Sequence, residues 1–145
     1  ISNPAFLKIF LNLEMASLSE ETAENLRKIF PSTVNVRNPL DLVGDATTER
    51  YKIALENCIC DKNVDGILLI ALYQTPLITT DIVEIISEMH EETKKPIIVV
   101  STGGEFTEIL SENLEERGLP VFNFPEDAIK AVDKLVWYDR KIKRL

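Results

Sequence analysis

The sequence predicts an α/β fold in which a parallel sheet is covered by helices on both faces. Apolar runs of strand length alternate along the chain with amphipathic stretches of helix length. This is the order expected of parallel strands joined by crossover helices. The clearest strands, 66–72 and 96–101, are apolar at successive positions rather than at alternate ones. Strands of this kind are buried on both sides, as they are in a parallel sheet.

Three weaker segments complete a predicted five-stranded sheet: 33–36, 120–123, and residues 1–2 as the tail of a first strand. Crossovers are right-handed and sequence neighbours tend to be adjacent, so the simplest strand order is 2-1-3-4-5, the doubly wound flavodoxin-like order. A chain of 145 residues has the usual size of one domain. We therefore expect residues 1–145 to form a single domain. Because Ile1 is not an initiator Met, we expect this domain to be a fragment of a larger protein.

Five amphipathic stretches carry the start and stop signals of helices. The predicted start signals are Ser19, Thr47, Thr79 or Thr80, the pair Gly103-Gly104, and Pro125, and the predicted stop signals are Pro31, Pro96 and Gly118. These residue types are common at helix ends because they cap free backbone groups or cannot continue a helix. The stripes predicted to face the core in the last two helices are Phe106, Ile109, Leu110 and Leu114, then Ala128, Ile129, Val132, Leu135 and Val136.

Charge and hydropathy exclude two classes of partner. The formal net charge is −8, with 16 basic and 24 acidic residues, whereas a nucleic-acid binder needs a face rich in Lys and Arg. The longest apolar run, 66–73, is too short to cross a bilayer. We therefore expect neither nucleic acid nor a membrane as a partner. The basic tail 140–144 is interpreted as a solvated end rather than a binding site.

The two cysteines, Cys58 and Cys60, are two residues apart on a predicted helix. Side chains with that spacing point in different directions, so neither a disulfide within the helix nor a two-thiolate metal site is expected. Cys58 continues an apolar stripe with Ala54 and Leu55, which indicates core packing. Reduced cysteines predict a reducing compartment, the cytoplasm.

Ligands of open parallel sheets bind beyond the carboxyl ends of the strands. Polar and glycine residues follow several predicted strands there, including Asn3, Gln74, Thr102, Gly103 and Gly104. Free backbone N–H groups at a helix start, with nearby polar side chains, suit a phosphate or carboxylate. Asn3, Thr102, Gly103 and Gly104 are therefore the candidate anion-binding residues. The competing interpretation is that the two glycines only make a tight strand-to-helix turn.

The polar turn 38–48 is interpreted as the boundary between a strand and a helix. Its markers are Asn38, Asp41, Gly44 and Asp45. Asp41 and Asp45 could be an acidic pair for a metal, but Asp is also the ordinary residue of turns and helix starts, and we predict no metal site. The only histidine, His90, stands beside Glu88 and Glu91 and is predicted to be a surface residue. Without an activated nucleophile, a base with an orienting partner, GxGxxG or a P-loop, catalysis by this chain alone is not expected.

Three segments in the same order carry a family resemblance. They are "NPLDLVGDATTERYKIALENCICDKNVDGILLI", "KKPIIVVSTGG" and "LEERGLPVFNFPEDAIKAV". Together they resemble the NDP-forming acyl-CoA synthetase superfamily, which includes succinyl-CoA synthetase, and most of all its ADP-forming acetyl-CoA synthetases (acetate–CoA ligases). The resemblance covers nearly all of the chain from about Leu13 onward.

The resemblance implies a ligase whose catalytic unit is divided among several domains. In that family a Rossmann-like domain binds CoA, a flavodoxin-like domain carries a phosphorylated histidine, and an ATP-grasp domain or subunit binds the nucleotide. This chain resembles the second flavodoxin-like domain, at the C-terminus of the alpha part, whose helix start helps to form the phosphohistidine site. The implied whole enzyme is an oligomer that uses CoA, ADP or ATP, and Mg²⁺.

Two features depart from the family pattern. The family follows the first-strand Asn with a Gly-rich stretch, whereas here Asn3 leads directly to Pro4-Ala5-Phe6. His90 also lacks the His-Thr-Gly or His-Ala-Gly context of the phosphorylated histidine, so the resemblance gives it no catalytic role. The expected function is thus to dock the histidine-bearing domain and to support phosphate transfer, with the isolated fragment inactive.

The alternative is a regulatory module, either the CoA-ligase-like domain of an acyltransferase fusion or a receiver domain. A receiver needs an acceptor Asp at the end of its third strand, where this chain has Leu72-Tyr73, and a Lys-Pro at the end of its fifth strand. Here Lys95-Pro96 opens a strand instead. The receiver reading is therefore disfavoured, while the acyltransferase fusion stays open.

Overall fold

The computed structural model describes residues 12–143, which form a parallel sheet flanked by helices. In chain order the elements are α1 (Glu20–Ile29), α2 (Thr48–Cys60), β1 (Ile67–Ile70), α3 (Ile82–Glu92), β2 (Ile97–Val100), α4 (Glu105–Glu116), β3 (Val121–Phe122) and α5 (Pro125–Ile142). The strand order is β1-β2-β3, and both pairs are parallel, with Ile67 opposite Ile97 and Val99 opposite Val121. The predicted α/β class with a parallel sheet is confirmed.

Successive strand residues point to opposite sides of the sheet, and helices pack on both faces of β2. On one face, Leu69 and Val99 join a core cluster with residues of α2, α3 and α4, among them Leu55, Ile86 and Leu114. On the other face, Ile98 and Val100 pack against Ala128 of α5. Every residue of β2 is buried, as predicted from its continuous apolar run. The same prediction for β1 is wrong on one face, where Leu68 is 37% and Ile70 53% exposed.

The prediction of five strands is not confirmed, since residues 12–143 contain three. The predicted strand 33–36 is wrong: Asn35 and Asp41 instead form an isolated antiparallel bridge, with both N–H···O distances 3.1 Å. This bridge uses the backbone groups that a sheet neighbour would need. Val34 and Val36 pack in a separate cluster with Leu26 of α1. Residues 1–2, predicted to end a first strand, lie outside the described residues.

Several predicted caps are present. The Ser19 hydroxyl accepts a hydrogen bond from the Thr22 N–H at 3.2 Å, and the Thr47 hydroxyl accepts one from the Arg50 N–H at 3.1 Å. Each satisfies a backbone donor that the first turn of a helix leaves free. Gly118 has φ +86°, the left-handed conformation that favours glycine after a helix.

Between residues 12 and 143 no helix combines the length and the apolar character needed to span a bilayer.

The predicted cap of α3 is wrong. The helix starts at Ile82, and its N-cap residue, Asp81, makes no side-chain capping bond. Thr79 cannot supply the cap because it is engaged elsewhere: its N–H donates to the Thr48 hydroxyl at 2.8 Å, and the two hydroxyl oxygens are 3.1 Å apart. This threonine pair connects the start of α2 to the loop after β1.

The predicted inward stripes of α4 and α5 are wrong in part. Leu110, Leu114 and Ala128 are buried, but Phe106 is 48% exposed, Ile109 51% and Leu135 67%. For α5 the cause is length, since 18 residues of helix span about 27 Å whereas the four residues of β2 span about 13 Å. The apolar stripe of α5 therefore extends past the sheet that it covers.

Asp61 stabilises the amino edge of the sheet, where the strands begin. It is 3% exposed, and its carboxylate accepts hydrogen bonds from the N–H groups of Ser19 at 2.8 Å and Asn63 at 2.9 Å. The Lys95 ammonium donates to the Asp61 carbonyl at 2.5 Å. Burial by itself raises the pKa of this carboxyl, but the backbone donors Asn63 and Ser19 and nearby hydroxyls outweigh it and hold the pKa below its usual value.

Candidate functional site

Side chains connect three loops at the carboxyl edge of the sheet. The Gln74 amide, after β1, donates to the Thr102 carbonyl at 3.2 Å and to the Thr107 hydroxyl at 3.1 Å. The Thr102 hydroxyl, after β2, donates to the carbonyl of Asn123, after β3, at 2.5 Å. Parallel strands place these loops side by side. The hydrogen bonds hold them as one platform, which we call the carboxyl-edge platform (Gln74, Thr102, Gly103, Thr107 and Asn123).

Gly103 is at the centre of this platform because a side chain there has no room. A Cβ atom on Gly103 would overlap the Gln74 amide and the Thr107 side chain. Its neighbour Gly104 has open space around the same position and is the N-cap residue of α4, with its carbonyl accepting from the Thr107 N–H at 2.8 Å. The two glycines thus have different roles: close approach at Gly103 and a helix start at Gly104.

Three of the four candidate anion-binding residues are in the described part of the chain. Thr102, Gly103 and Gly104 lie together at the start of α4, whereas Asn3 lies outside the described residues. The Thr102 hydroxyl donates within the protein, and the first turn of α4 carries Glu105 and Glu108. Backbone N–H groups of that turn are therefore the donors left for an anion, and the two carboxylates oppose its charge. Anion binding here stays a prediction.

The polar turn 38–48 has internal partners. The Asn38 amide donates to the Ala16 carbonyl at 2.8 Å, and the Asp41 carboxylate accepts from the Val43 N–H at 2.9 Å. Asp45 pairs with the Arg50 guanidinium at 2.6 Å. Gly44 is exposed, with open space around it. These contacts stabilise the turn and give each aspartate a partner of its own.

Sequence reasoning missed Thr48, Asp61 and Thr107, which are buried polar residues. Thr107 could have been found from its position three residues after Gly104, where the side chain faces back towards the strand-to-helix turn. Thr48 and Asp61 had no such signal, because their partners Thr79 and Ser19 are 31 and 42 residues away.

Cys58 and His90 are both half-buried. Cys58 is half-buried, and burial, with a smaller contribution from nearby Asp61, raises the pKa of its thiol to about 11, so the thiol stays protonated at neutral pH. Cys60 is exposed and unpaired. His90 is half-buried rather than a surface residue. Its Nδ1 atom is buried and has no hydrogen-bond partner among the described residues.

Tyr73, immediately before Gln74, is 2% exposed, and its hydroxyl has no partner in the described part of the chain. Burial, with a contribution from nearby Tyr51, raises its pKa well above the usual value. A buried hydroxyl without a partner costs about 1–3 kcal/mol. We therefore expect Tyr73→Phe to raise the free energy of unfolding by about 1 kcal/mol, measured by urea denaturation.

Tyr138→Phe is the matched control, because Tyr138 is 59% exposed and should change stability by less than about 0.5 kcal/mol. A loss of stability in Tyr73→Phe that exceeds the control would show that the Tyr73 hydroxyl does have a partner.

The cofactors implied by the family resemblance can be compared with the residues present. Throughout residues 12–143, no three acidic, cysteine or histidine side chains are grouped so that they could hold a metal ion. The donor set of the carboxyl-edge platform is made of amide, hydroxyl and backbone groups, which are weak ligands for Mg²⁺ compared with carboxylates. The carboxyl-edge platform itself therefore does not fit a magnesium site.

Comparisons with known proteins identify relatives over most of the chain. No family model matches the sequence. It is 36% identical over 131 residues to an ADP-forming acetate–CoA ligase of Methanocaldococcus jannaschii, covering 88% of this chain and 19% of the ligase. It is 32% identical over 128 residues to the alpha subunit of ADP-forming acetate–CoA ligase II of Pyrococcus furiosus, covering 86% of this chain and 28% of that subunit. The chain thus spans less than a third of the length of these curated relatives.

Solved structures share the fold. A crystal structure of a Pyrococcus horikoshii protein matches with a TM-score of 0.83 and 30% identity, covering 92% of this chain and 31% of that one. An acetyl-coenzyme A synthetase of Candidatus Korarchaeum cryptofilum matches with a TM-score of 0.82 at 21% identity, over 94% and 30% of the two chains. The second similarity shows the fold alone. From the sequence relatives and the shared architecture together, we conclude that the chain belongs to the NDP-forming acyl-CoA synthetase superfamily.

Proposed function

We propose that this chain acts as a non-catalytic domain of an ADP-forming acyl-CoA synthetase, where it docks the histidine-bearing domain and supports phosphate transfer. The observation that carries the proposal is 32–36% identity to ADP-forming acetate–CoA ligases across 86–88% of the chain. A similarity of this extent includes the strands, the loops and the helix starts rather than one short motif.

The arrangement at the carboxyl edge supports a docking role. Gln74, Thr102 and Thr107 use their side chains to connect the loops to one another. A surface held in this way can position another domain without rearranging. The N–H groups at the start of α4 face the same edge and are the donors we propose for contact with a phosphoryl group.

The chemistry of the proposed whole enzyme belongs to other domains. Acyl-CoA, ADP and phosphate are converted to carboxylate, ATP and CoA, and the phosphoryl group passes through a histidine outside this chain. We propose that CoA, the nucleotide and Mg²⁺ are bound by the CoA-binding and ATP-grasp domains, and that the enzyme works as an oligomer in the cytoplasm. By this proposal, the isolated chain consumes no CoA in the presence of acetate and ATP.

A domain exchange tests the proposal. Residues 12–143 of this chain replace the matching segment of the Methanocaldococcus jannaschii ligase, and ATP formation from acetyl-CoA, ADP and phosphate is measured with radiolabelled phosphate. We expect the chimera to keep at least about a tenth of the parent activity. This limit allows the exchanged domain to lose up to about 1.4 kcal/mol of docking free energy, which corresponds to a tenfold change in rate. Phosphorylation of the parent histidine is followed in the same samples.

The matched control is the same chimera with Gly103→Val, which disrupts the carboxyl-edge platform, and we expect it to lose phosphohistidine formation. A chimera that folds and binds CoA normally but forms no phosphohistidine would contradict the proposal. So would acetate-dependent consumption of CoA by the isolated 145 residues.

A further inference from the structure

One face of β1 exposes a row of large apolar side chains. Leu68, Ile70 and Leu72 are 37%, 53% and 50% exposed, and residues two apart along a strand point to the same side of the sheet. We call these three residues the β1 stripe. In the parallel register Ile70 lies opposite Val100, which packs against Ala128 of α5. The β1 stripe therefore lies on the same face of the sheet as α5.

Among residues 12–143, the helices leave the β1 stripe uncovered. The apolar cluster beneath α5 includes Val100 of β2, Phe122 of β3, and Ala128 and Val132 of the helix itself. The helix thus covers the second and third strands, and the first strand lies beside it. Parallel sheets are ordinarily covered on both faces, so we expect a further segment to lie on the β1 stripe.

The described part of the chain begins next to this stripe. Asn12 is held on α5, since its backbone N–H and its side-chain amide both donate to the Asp133 carboxylate, at 3.2 and 3.1 Å. Five residues later, the Ser17 carbonyl accepts a hydrogen bond from the Asn63 amide at 3.1 Å, in the loop that leads into β1. Residues 12–17 therefore run from the helix beside the stripe to the loop before the strand that carries it.

The segment before Asn12 has the composition and the length that the β1 stripe requires. Residues 1–11 read ISNPAFLKIFL, in which seven residues are apolar and only Lys8 is charged. So apolar a segment is stabilised by leaving water. Eleven residues span about 36 Å when extended and about 16 Å as a helix, whereas the four residues of β1 span about 13 Å. Either conformation is long enough to cover the strand.

We propose that residues 1–11 pack on the β1 stripe of their own chain, beside α5. The hydrogen bonds between Asn12 and Asp133 hold the end of the segment next to the stripe. This gives the segment a high effective concentration there, which favours it over any other molecule as the occupant. The contact leaves the carboxyl-edge platform as the surface free to dock another domain. It rests on contacts within the chain and does not depend on the proposed ligase function.

Thiol labelling tests this contact in the 145-residue chain. Cys58→Ala and Cys60→Ser remove the native thiols, and Ile70→Cys introduces a single cysteine in the β1 stripe. The matched control is Ile109→Cys on α4, because Ile109 is 51% exposed and Ile70 is 53% exposed. The rate of reaction with a maleimide is measured at several protein concentrations, and the fold of each variant is checked by circular dichroism.

We expect Ile70→Cys to react at least about tenfold more slowly than Ile109→Cys, because the segment must first move away from the stripe. Adding Phe6→Asp and Phe10→Asp should raise the rate at position 70 by about tenfold, since burying the new carboxylates against an apolar surface is unfavourable. The rate at position 109 should stay the same. Phe10→Ser is the milder variant if the doubly charged chain does not fold.

Equal rates for Ile70→Cys and Ile109→Cys in the chain with residues 1–11 unchanged would contradict the proposal. Protection of position 70 that grows with protein concentration would assign the β1 stripe to a contact between molecules and would also overturn it. Protection that persists in the folded Phe10→Ser variant and in the folded doubly charged variant would assign the cover to another part of the chain, with the same consequence.

Discussion

Replacing Asp61 by alanine is expected to lower the free energy of unfolding by about 3 kcal/mol. The carboxylate is 3% exposed and accepts hydrogen bonds from the N–H groups of Ser19 and Asn63. Removing it leaves both donors without their acceptor, and the loss at Ser19 also affects the start of α1. Urea denaturation followed by circular dichroism measures the change, and we expect the midpoint to move while the slope stays the same.

Asp65→Ala is the matched control for this substitution. Asp65 follows in the same loop but is exposed and has no side-chain hydrogen bond among the described contacts. Its replacement should change stability by less than about 0.5 kcal/mol. If the two variants were equally stable, the Asp61 carboxylate would not be the connection between α1 and the sheet.

Asp61 should also make stability depend on pH. Its pKa is lower in the folded protein than in the unfolded chain, so its contribution is complete above the unfolded value of about 3.9. The contribution is lost as pH falls through the lower folded pKa. The difference in unfolding free energy between the wild type and Asp61→Ala should therefore be constant above about pH 5 and shrink in more acidic buffer. If this difference widened in acidic buffer instead, the pKa of the Asp61 carboxyl would be raised in the folded protein, and the prediction would be wrong.

Gly103→Ala is expected to destabilise the chain by about 2 kcal/mol. The new methyl group would overlap the Gln74 amide and the Thr107 side chain. To make room, Gln74 must give up its hydrogen bonds to the Thr102 carbonyl and the Thr107 hydroxyl. Thermal and urea unfolding measure the cost, and cleavage by a protease at the loop after β1 reports whether that loop has been released.

Gly104→Ala distinguishes this overlap from a general intolerance of side chains in the turn. Gly104 has open space around its Cβ position and an ordinary negative φ of −90°, so alanine should be neutral or stabilise slightly. In the double variant Gly103→Ala with Gln74→Ala, part of the lost stability should return because the Gln74 amide no longer overlaps the new methyl group. Equal losses at both glycines would show that the platform is not set by the close approach at Gly103.

Local signals in the sequence predicted most of the elements correctly. Runs such as 96–101 identify a buried parallel strand, and Ser19, Thr47 and Gly118 identify helix ends, because these effects act within a few residues. The strand at 33–36 was wrong because Asn35 pairs with Asp41 a short distance along the chain. The inward orientation of Phe106 and Leu135 was wrong because periodicity shows that a stripe exists but not where the covering sheet ends.

The candidate site was predictable in place but not in detail. Parallel topology brings Thr102, Gly103 and Gly104 to the carboxyl edge, and the sequence indicated this. The role of Gly103 depends on Gln74, which is 29 positions earlier and reaches it only after β1 and β2 pair. Sequence alone could not show that the Gln74 amide lies against this glycine.

The position of α2 determines how the domain can come apart. Its adjacent residues Ala54 and Leu55 belong to different apolar clusters, the first with Leu26 and Phe30 and the second with Ile82 and Leu114. Helix α2 therefore contributes to two hydrophobic clusters at once. Melting α2 would expose both clusters to water at once, so we expect these two clusters to unfold together.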